Sequence, residues 1–202
     1  MNLPNKLTIA RMCAIPIVII VTLLSFLSGV IKGINLQLLI LLIVFALASI
    51  TDFLDGKIAR KYGLVTDFGK FMDPLADKLM VIAAMMCIIY RSHNVELLFN
   101  IFMPLVMITV FRELAVTSIR LVAIKNANIV VAANLHGKIK TVTQIVCIMA
   151  ALLEPVLAKI SFLSFLSYYP ITIVASLVTL FMTIWSGWIY LSTYWKYLDK
   201  EM

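Results

Sequence analysis

The chain carries little charge. Asp, Glu, Lys and Arg make up 13% of its 202 residues, about half of the roughly 25% that is usual in soluble domains. Apolar residues reach 63%, and the mean hydropathy is +1.06. A soluble fold of this length cannot hide so much apolar surface from water, and the same composition excludes a disordered chain. The chain is therefore predicted to lie in a lipid bilayer.

Cysteine and histidine are also scarce. Cys13, Cys87 and Cys147 are odd in number and far apart in apolar runs. This pattern excludes a disulfide-stapled secreted module and offers no cysteine metal site, so we expect three small buried apolar side chains. The only histidines, His93 and His136, stand outside any metal-ligand spacing and are predicted to be solvated loop residues.

The long apolar runs predict an all-α integral membrane protein. One span needs about 20 apolar residues, and the breaks in the pattern separate six candidate spans. The predicted spans are 10–29, 35–59, 69–91, 97–124, 138–160 and 169–196, after a short N-terminal interfacial segment. No repeat or linker divides the chain, which predicts one membrane domain over residues 1–202. Aromatic residues at the ends of the last span are predicted to form interfacial belts; they are Tyr168, Tyr169, Tyr190, Tyr194, Trp195 and Tyr197.

The distribution of cations predicts the orientation. With both termini in the cytoplasm, the outer side holds only Lys32, Arg91 and Lys159, which leaves 14 of the 17 Lys and Arg residues on the inner side. Such an excess of cytoplasmic cations is typical of membrane proteins. The first apolar run lacks a signal-peptide cleavage site, and no transit segment precedes it. We therefore expect a multi-pass protein of the bacterial plasma membrane with both termini cytoplasmic.

The acidic residues are concentrated in one stretch. Five of the ten lie between residues 52 and 77, namely Asp52, Asp55, Asp67, Asp73 and Asp77. The first two share a helix face with Gly56 and Ala59, and the last two are spaced by four after Gly69 and share another face. Two antiparallel helices joined near residues 62–63 would bring four carboxylates together at the cytoplasmic edge.

Four converging carboxylates predict a metal site. They cannot all stay ionised in a low dielectric without counter-charge, and two divalent cations would cancel their charge. Oxygen ligands suit Mg²⁺ or Mn²⁺, and paired ions of this kind favour displacement at phosphorus. The small Gly56 and Ala59 leave room for a planar or phosphate-bearing ligand. The alternative is that each aspartate is a solvated helix cap.

The same stretch resembles the signature of the CDP-alcohol phosphotransferases, D-x-x-D-G-x-x-A-R, eight residues, then G-x-x-x-D-x-x-x-D. The matching residues are Asp52, Asp55, Gly56, Ala59, Arg60, Gly69, Asp73 and Asp77. The resemblance implies that the four aspartates form the site of two divalent metals, with Asp77 as general base. It also implies that a CDP-lipid binds at Asp52, Asp55, Gly56, Ala59, Arg60 and Gly69, with Gly69 allowing close helix packing. A six-span architecture is implied as well.

Other polar residues resemble the phosphatidylglycerophosphate synthases, a bacterial branch of this family. They are the opening residues 2–8, Arg11, the run 112–114, the run 137–141 and Gln144. This resemblance implies transfer of the phosphatidyl group of CDP-diacylglycerol to sn-glycerol 3-phosphate by direct displacement, which gives phosphatidylglycerophosphate and CMP. The acceptor is expected to bind at Asn5, Thr8, Arg11, Arg112, Lys138 and Lys140. A homodimer with no nucleic-acid partner is also expected.

Each of these acceptor-site residues has an alternative interpretation. Arg112 is also placed to pair with the glutamate that follows it, and Lys138 and Lys140 are placed to reach lipid headgroups. Asn5 and Thr8 are suited to capping the entrance to the first span.

The function has alternatives too. Within the family, serine, inositol phosphate or phosphatidylglycerol would be the acceptor. Outside it, carboxylates within a membrane also mark ion-coupled transporters, although here the aspartates cluster at one edge instead of crossing the midplane.

Overall fold

The computed structural model describes residues 2–24, 30–31, 34–62, 66–127, 135–159 and 161–194. These residues form six α-helices: α1 Leu3–Leu23, α2 Leu36–Tyr62, α3 Asp67–Arg91, α4 Glu96–Ala127, α5 Leu135–Leu157 and α6 Pro170–Tyr194. Two short 3-10 segments occupy Ser92–Asn94 and Ser161–Tyr168, and β1 Val30–Ile31 pairs antiparallel with β2 Ile34–Asn35. The prediction of an all-helical chain is confirmed.

Five of these helices are long and apolar enough to cross a membrane. The qualifying segments are Asn5–Leu23, Leu36–Leu54, Glu96–Ile119, Leu135–Leu157 and Pro170–Tyr194. The remaining helix, α3, has charged residues throughout its first half, from Asp67 to Lys78, and becomes apolar only after them. The fold is therefore that of an integral membrane protein with five candidate spans and a sixth, amphipathic helix that carries much of the predicted site.

The predicted start of the first helix is wrong. Helix α1 begins at Leu3 instead of residue 10, and Pro4 stands in its first turn, where a missing backbone N–H does no harm. Within residues 2–24 the predicted interfacial segment is therefore continuous with α1. Asn5 and Thr8 lie inside this helix and are buried, so neither residue caps its entrance.

The helices pack around an apolar core that α1 to α5 share. Its most completely buried side chains include Phe45, Met85, Phe102, Leu105 and Ile148. Helix α6 packs against α4 and α5 through buried small and hydroxyl side chains at helical spacing, which are Thr172, Ser176, Thr179, Thr183, Ser186 and Gly187. Small residues let helix backbones approach closely inside a membrane, and this approach brings the C-terminal half of α6 to the site described below.

Glu154 fixes the other end of α6. Its carboxylate accepts hydrogen bonds from the backbone N–H groups of Ile171 and Thr172, each at 2.8 Å. The side chain is 1% exposed. It caps the first turn of the helix, where unpaired N–H groups and the helix dipole favour a negative charge.

Three of the smaller predictions need correction. Cys87 and Cys147 are buried as expected, but Cys13 is exposed because it lies on the outer face of α1 that also carries Ile17. His93 is exposed, whereas His136 is half-buried because α5 already begins at Leu135.

The third correction concerns Tyr190, which was expected in an interfacial belt. It is 4% exposed, and it packs within the site described next. Trp195 and Tyr197 lie outside the described residues.

Candidate active site

Arg11 joins two of the predicted aspartates. Its Nη1 atom lies 2.9 Å from Asp52 Oδ1 on α2 and also contacts Asp77 Oδ1 on α3. The arginine side chain is 2% exposed, whereas those of Asp52 and Asp77 are 41% and 37% exposed. Helix α1 therefore supplies a buried guanidinium to two carboxylates. These carboxylates remain partly exposed and accessible to a ligand.

The third aspartate is tied to α1 by a neighbouring contact. Asp73 accepts a hydrogen bond from Thr8 Oγ1. At the start of α3, Thr66 caps the helix by accepting from the Gly69 N–H at 3.1 Å, and its own hydroxyl donates to Asn5 Oδ1 at 2.9 Å. Thr8 and Asn5 thus fix the start of α3, and with it Asp73, against α1.

Gly69 makes this close approach possible. A Cβ atom at this position would lie 3.3 Å from both Asn5 Oδ1 and Thr66 Oγ1, and 3.6 Å from Asp73 Oδ2. A Cβ atom here would force the Asn5 and Thr66 oxygens to shift by a few tenths of an ångström. The lack of a side chain at Gly69 therefore lets α1 and α3 make this contact without such a shift.

The rest of the predicted carboxylate and CDP-lipid site is described only in part. Gly56 is half-buried on α2, but the side chains of Asp55, Ala59 and Arg60 lie outside the part of the chain that the structure describes. Among the described residues, no three His, Cys, Asp or Glu side chains form a group that could hold a metal ion.

The donor chemistry nevertheless fits hard divalent cations. Asp52 and Asp77 come from different helices and already converge on one positive group, the Arg11 guanidinium. The atoms that these two residues offer to a metal are carboxylate oxygens, which Mg²⁺ and Mn²⁺ prefer. The predicted metal site stays a prediction.

A cavity of about 370 Å³ adjoins these carboxylates. Arg11, Asp52 and Asp77 line part of it, and Arg112 and Lys140 line another part. The same cavity has an apolar lining from α2, α3 and α5 that includes Phe45, Met80, Val81 and Ile145. Carboxylates and cations from separate helices therefore face one shared space.

The cations of this cavity meet at Glu113. Arg112 Nη1 lies 2.9 Å from Glu113 Oε1, Lys140 Nζ contacts the same oxygen, and Lys78 Nζ lies 3.5 Å from Oε2. The pairing of Arg112 with its neighbour, one of the two interpretations left open, is thus present. Lys140 is 4% exposed and does not reach out to lipid headgroups, whereas Lys138 is exposed at the rim of the cavity.

Helix α6 holds Arg112 from the other side. The guanidinium carbon lies 5.7 Å from the centre of the Tyr190 ring, within the range of a cation–π interaction. A Cβ atom on Gly187 would lie 3.2 Å from Arg112 Cγ. The arginine is therefore enclosed between α6 and Glu113.

Sequence reasoning missed three residues of this arrangement. Glu113 is an acid inside an apolar span, which is itself a signal of function or pairing, but the sequence offers it only as a partner of Arg112 and as part of the run 112–114. Lys78 follows Asp77 directly and gave no separate signal. Tyr190 matched the pattern of an interfacial aromatic, and only the packing of α6 distinguishes the two roles.

Comparison with known proteins adds independent information. Residues 1–192 match the model of the CDP-alcohol phosphatidyltransferase family. The chain is 43% identical to the CDP-diacylglycerol–glycerol-3-phosphate 3-phosphatidyltransferase of Bacillus subtilis (strain 168), over 99% of this chain and 98% of that protein. Proteins of the same name from Rickettsia bellii and Wigglesworthia glossinidia brevipalpis are 50% and 34% identical, over 48% and 75% of this chain and 49% and 77% of their own lengths.

Proposed function

The chain belongs to the CDP-alcohol phosphatidyltransferase family, and we propose that it transfers the phosphatidyl group of CDP-diacylglycerol to sn-glycerol 3-phosphate. The products are phosphatidylglycerophosphate and CMP, which places the enzyme in phospholipid biosynthesis. The Bacillus subtilis relative carries this activity in its name and aligns over nearly the whole of both chains. The observation that carries the proposal is that Asp52 and Asp77 line the same cavity as Arg112 and Lys140.

The carboxylates would hold the metals of the reaction. Asp52, Asp55, Asp73 and Asp77 are the proposed ligands of two divalent cations, either Mg²⁺ or Mn²⁺. When bound, such cations neutralise charge at the attacked phosphorus and on the leaving oxygen. Asp52 and Asp77 both contact the Arg11 guanidinium. This convergence on one cation supports the proposal that the same carboxylates also bind metal cations.

The chain's own residues then account for the transfer. Asp77 accepts the proton of the primary hydroxyl of glycerol 3-phosphate. That oxygen forms a bond to the phosphorus attached to diacylglycerol, and the bond from this phosphorus to the CMP oxygen breaks. Arg112, Lys138 and Lys140 bind the phosphate of the acceptor, as two negatively charged substrates require.

The remaining signature residues would bind the CDP headgroup. We assign this role to Gly56, Ala59 and Arg60 on α2, with Gly69 allowing α1 and α3 to approach. The contacts of α1 support a different role for its polar residues than the sequence suggested. Thr8 and Arg11 hold the carboxylates directly, so we propose that α1 positions the aspartates instead of binding the acceptor phosphate.

We further infer six spans, with α3 as the sixth, and the active site at the cytoplasmic side. The excess of cations on the predicted inner side supports this orientation. We also propose a homodimer, which the family resemblance suggests, in the bacterial plasma membrane, which the bacterial relatives support.

An acceptor panel tests the proposal. Purified protein is supplied with CDP-diacylglycerol, Mg²⁺ and one acceptor at a time: glycerol 3-phosphate, serine, inositol phosphate or phosphatidylglycerol. Mass spectrometry of the lipids is expected to show a product with glycerol 3-phosphate alone, and EDTA is expected to abolish it until Mg²⁺ or Mn²⁺ is restored. A product from another acceptor instead would overturn the assigned substrate, and ion flux in liposomes without CMP release would favour a transporter.

Asp77→Asn tests the assigned base. General-base assistance is worth about 10²- to 10⁴-fold in rate, so turnover should fall by at least that lower factor while CDP-lipid binding persists. The matched control is Glu96→Gln, which neutralises an exposed acid at the start of α4. Near-normal turnover in the Asp77 variant would remove it from this role.

A further inference from the structure

Glu113 is a buried acid surrounded by cations from three helices. It is 9% exposed and lies on α4 beside Arg112, opposite Lys140 of α5 and Lys78 of α3. One carboxylate oxygen takes Arg112 and Lys140, and the other faces Lys78. Its two oxygens therefore fix the relative positions of three positive groups.

The charges of this cluster do not cancel. Three cations around one carboxylate leave a net charge of +2, and all four side chains line the cavity that also contains Asp77. A phosphate monoester near neutral pH carries about two negative charges. The cluster therefore offers the excess charge that such a ligand needs, while the carboxylate keeps the cations from repelling one another in the absence of that ligand.

Further contacts restrain two of the three cations of the cluster. Lys78 Nζ donates to Thr117 Oγ1 at 2.6 Å in addition to its contact with Glu113. Lys78 is the residue after Asp77, the proposed base. The contact between Lys78 and Glu113 therefore connects Glu113 to the turn of α3 that carries Asp77. Arg112 is restrained on its far side by Tyr190. Glu113 is the one group of the cluster that contacts all three cations.

We propose that Glu113 is a positioning residue that holds Lys78, Arg112 and Lys140 in the arrangement that binds the phosphate of the acceptor alcohol. The inference rests on the proposed function, which supplies the acceptor. It extends that function by adding Lys78 to the phosphate site and by assigning the buried carboxylate a role toward the substrate. The chemical class of ligand is a small phosphate monoester with a free hydroxyl group.

Steady-state kinetics of Glu113→Gln test the proposal. The amide keeps the size of the side chain but removes the charge that the cations share, and hydrogen bonds to charged groups of this kind are worth about ten- to hundredfold in an equilibrium constant. We expect KM for glycerol 3-phosphate to rise at least about tenfold and KM for CDP-diacylglycerol to stay unchanged. Glu113→Asp, which retains the charge, should recover part of the loss. Calorimetric titration with glycerol 3-phosphate should show the tightest binding for wild type, weaker binding for Glu113→Asp and the weakest for Glu113→Gln.

The matched control is Glu154→Gln, which neutralises another buried glutamate, 1% exposed, at the other end of the helices. It should lower Tm without changing KM for either substrate. An unchanged KM for glycerol 3-phosphate in the Glu113 variant, with the wild-type enzyme active on that acceptor, would overturn the positioning role alone. A wild-type enzyme that uses another acceptor would overturn the proposed function instead.

A second variant keeps the test valid if Glu113→Gln does not fold. Combining it with Lys140→Gln removes both members of the buried Glu113–Lys140 pair, so Lys140 is not left as a buried charge without its partner. Because Glu113 also holds Lys78 and Arg112, the double variant should have a higher KM for glycerol 3-phosphate than Lys140→Gln alone. Equal KM values for the double variant and Lys140→Gln would show that Glu113 does not position Lys78 and Arg112, which would overturn the proposal.

Discussion

Replacing Arg11 with methionine should destabilise the metal-free protein much more than the metal-bound protein. Arg11 is the buried cation that Asp52 and Asp77 share, with Nη1 at 2.9 Å from Asp52 Oδ1. Methionine has a similar length and suits an apolar setting, but it leaves two carboxylates of adjacent helices without this counter-charge. A divalent cation bound by the same oxygens would restore the missing positive charge.

The size of the effect follows from the exposure of the groups. Breaking a fully buried ion pair costs about 3–5 kcal/mol. Asp52 and Asp77 retain 41% and 37% of their side-chain exposure, so solvent screening lowers the expected loss to about 2 kcal/mol. For a chain of this size, that loss corresponds to a decrease in Tm of about 4–8 °C.

The assay is thermal unfolding of the purified protein in detergent, with EDTA and then with Mg²⁺. We expect the difference in Tm between wild type and Arg11→Met to be largest in EDTA and to shrink when Mg²⁺ binds the folded state. The control is Arg91→Met, which removes a contact with Gln37 at the other end of the helices and should lose stability equally in both conditions. A difference for Arg11→Met that is equal with and without Mg²⁺ would refute a cation site at these carboxylates.

Three further substitutions test other contacts. Gly69→Ala places a Cβ atom 3.3 Å from side-chain oxygens of α1 and of the α3 cap; overpacking of this kind costs about 1–3 kcal/mol, and turnover should fall because Asp73 is displaced. Glu154→Gln weakens two 2.8 Å bonds to the first turn of α6 and should destabilise by about 2 kcal/mol, measured as Tm. Gly187→Ala meets Arg112 Cγ at 3.2 Å and should raise KM for glycerol 3-phosphate, whereas Gly137→Ala, with its nearest contact at 3.9 Å, should not.

The helices could be predicted from the sequence because each apolar run ends at charged or small residues. Helix α5, predicted over 138–160, spans Leu135–Leu157, and the other later helices agree similarly. The predicted start of α1 was wrong because contacts with another helix, which the sequence does not show, decide where α1 begins. Polar residues such as Asn5 and Thr8 are typical of the segment before a membrane span. Here they lie inside α1, where they contact Asp73 of α3 and its cap residue Thr66.

The candidate site was predictable where its residues are close in sequence. The aspartates lie within two adjacent helices, so helical spacing alone indicates which of them share a face. The cation cluster depends instead on how α3, α4 and α5 pack, and helical periodicity does not say which faces of different helices meet. Glu113 and Tyr190 acquire their roles only from that packing.

The most direct test of the central claim follows an isotope through one reaction. Glycerol 3-phosphate with heavy oxygen in its primary hydroxyl is supplied to the purified protein with CDP-diacylglycerol and Mg²⁺. The account predicts equimolar CMP and phosphatidylglycerophosphate, with the heavy oxygen retained in the lipid and none in CMP. CMP released without the labelled lipid, or heavy oxygen found in CMP, would contradict the proposed displacement.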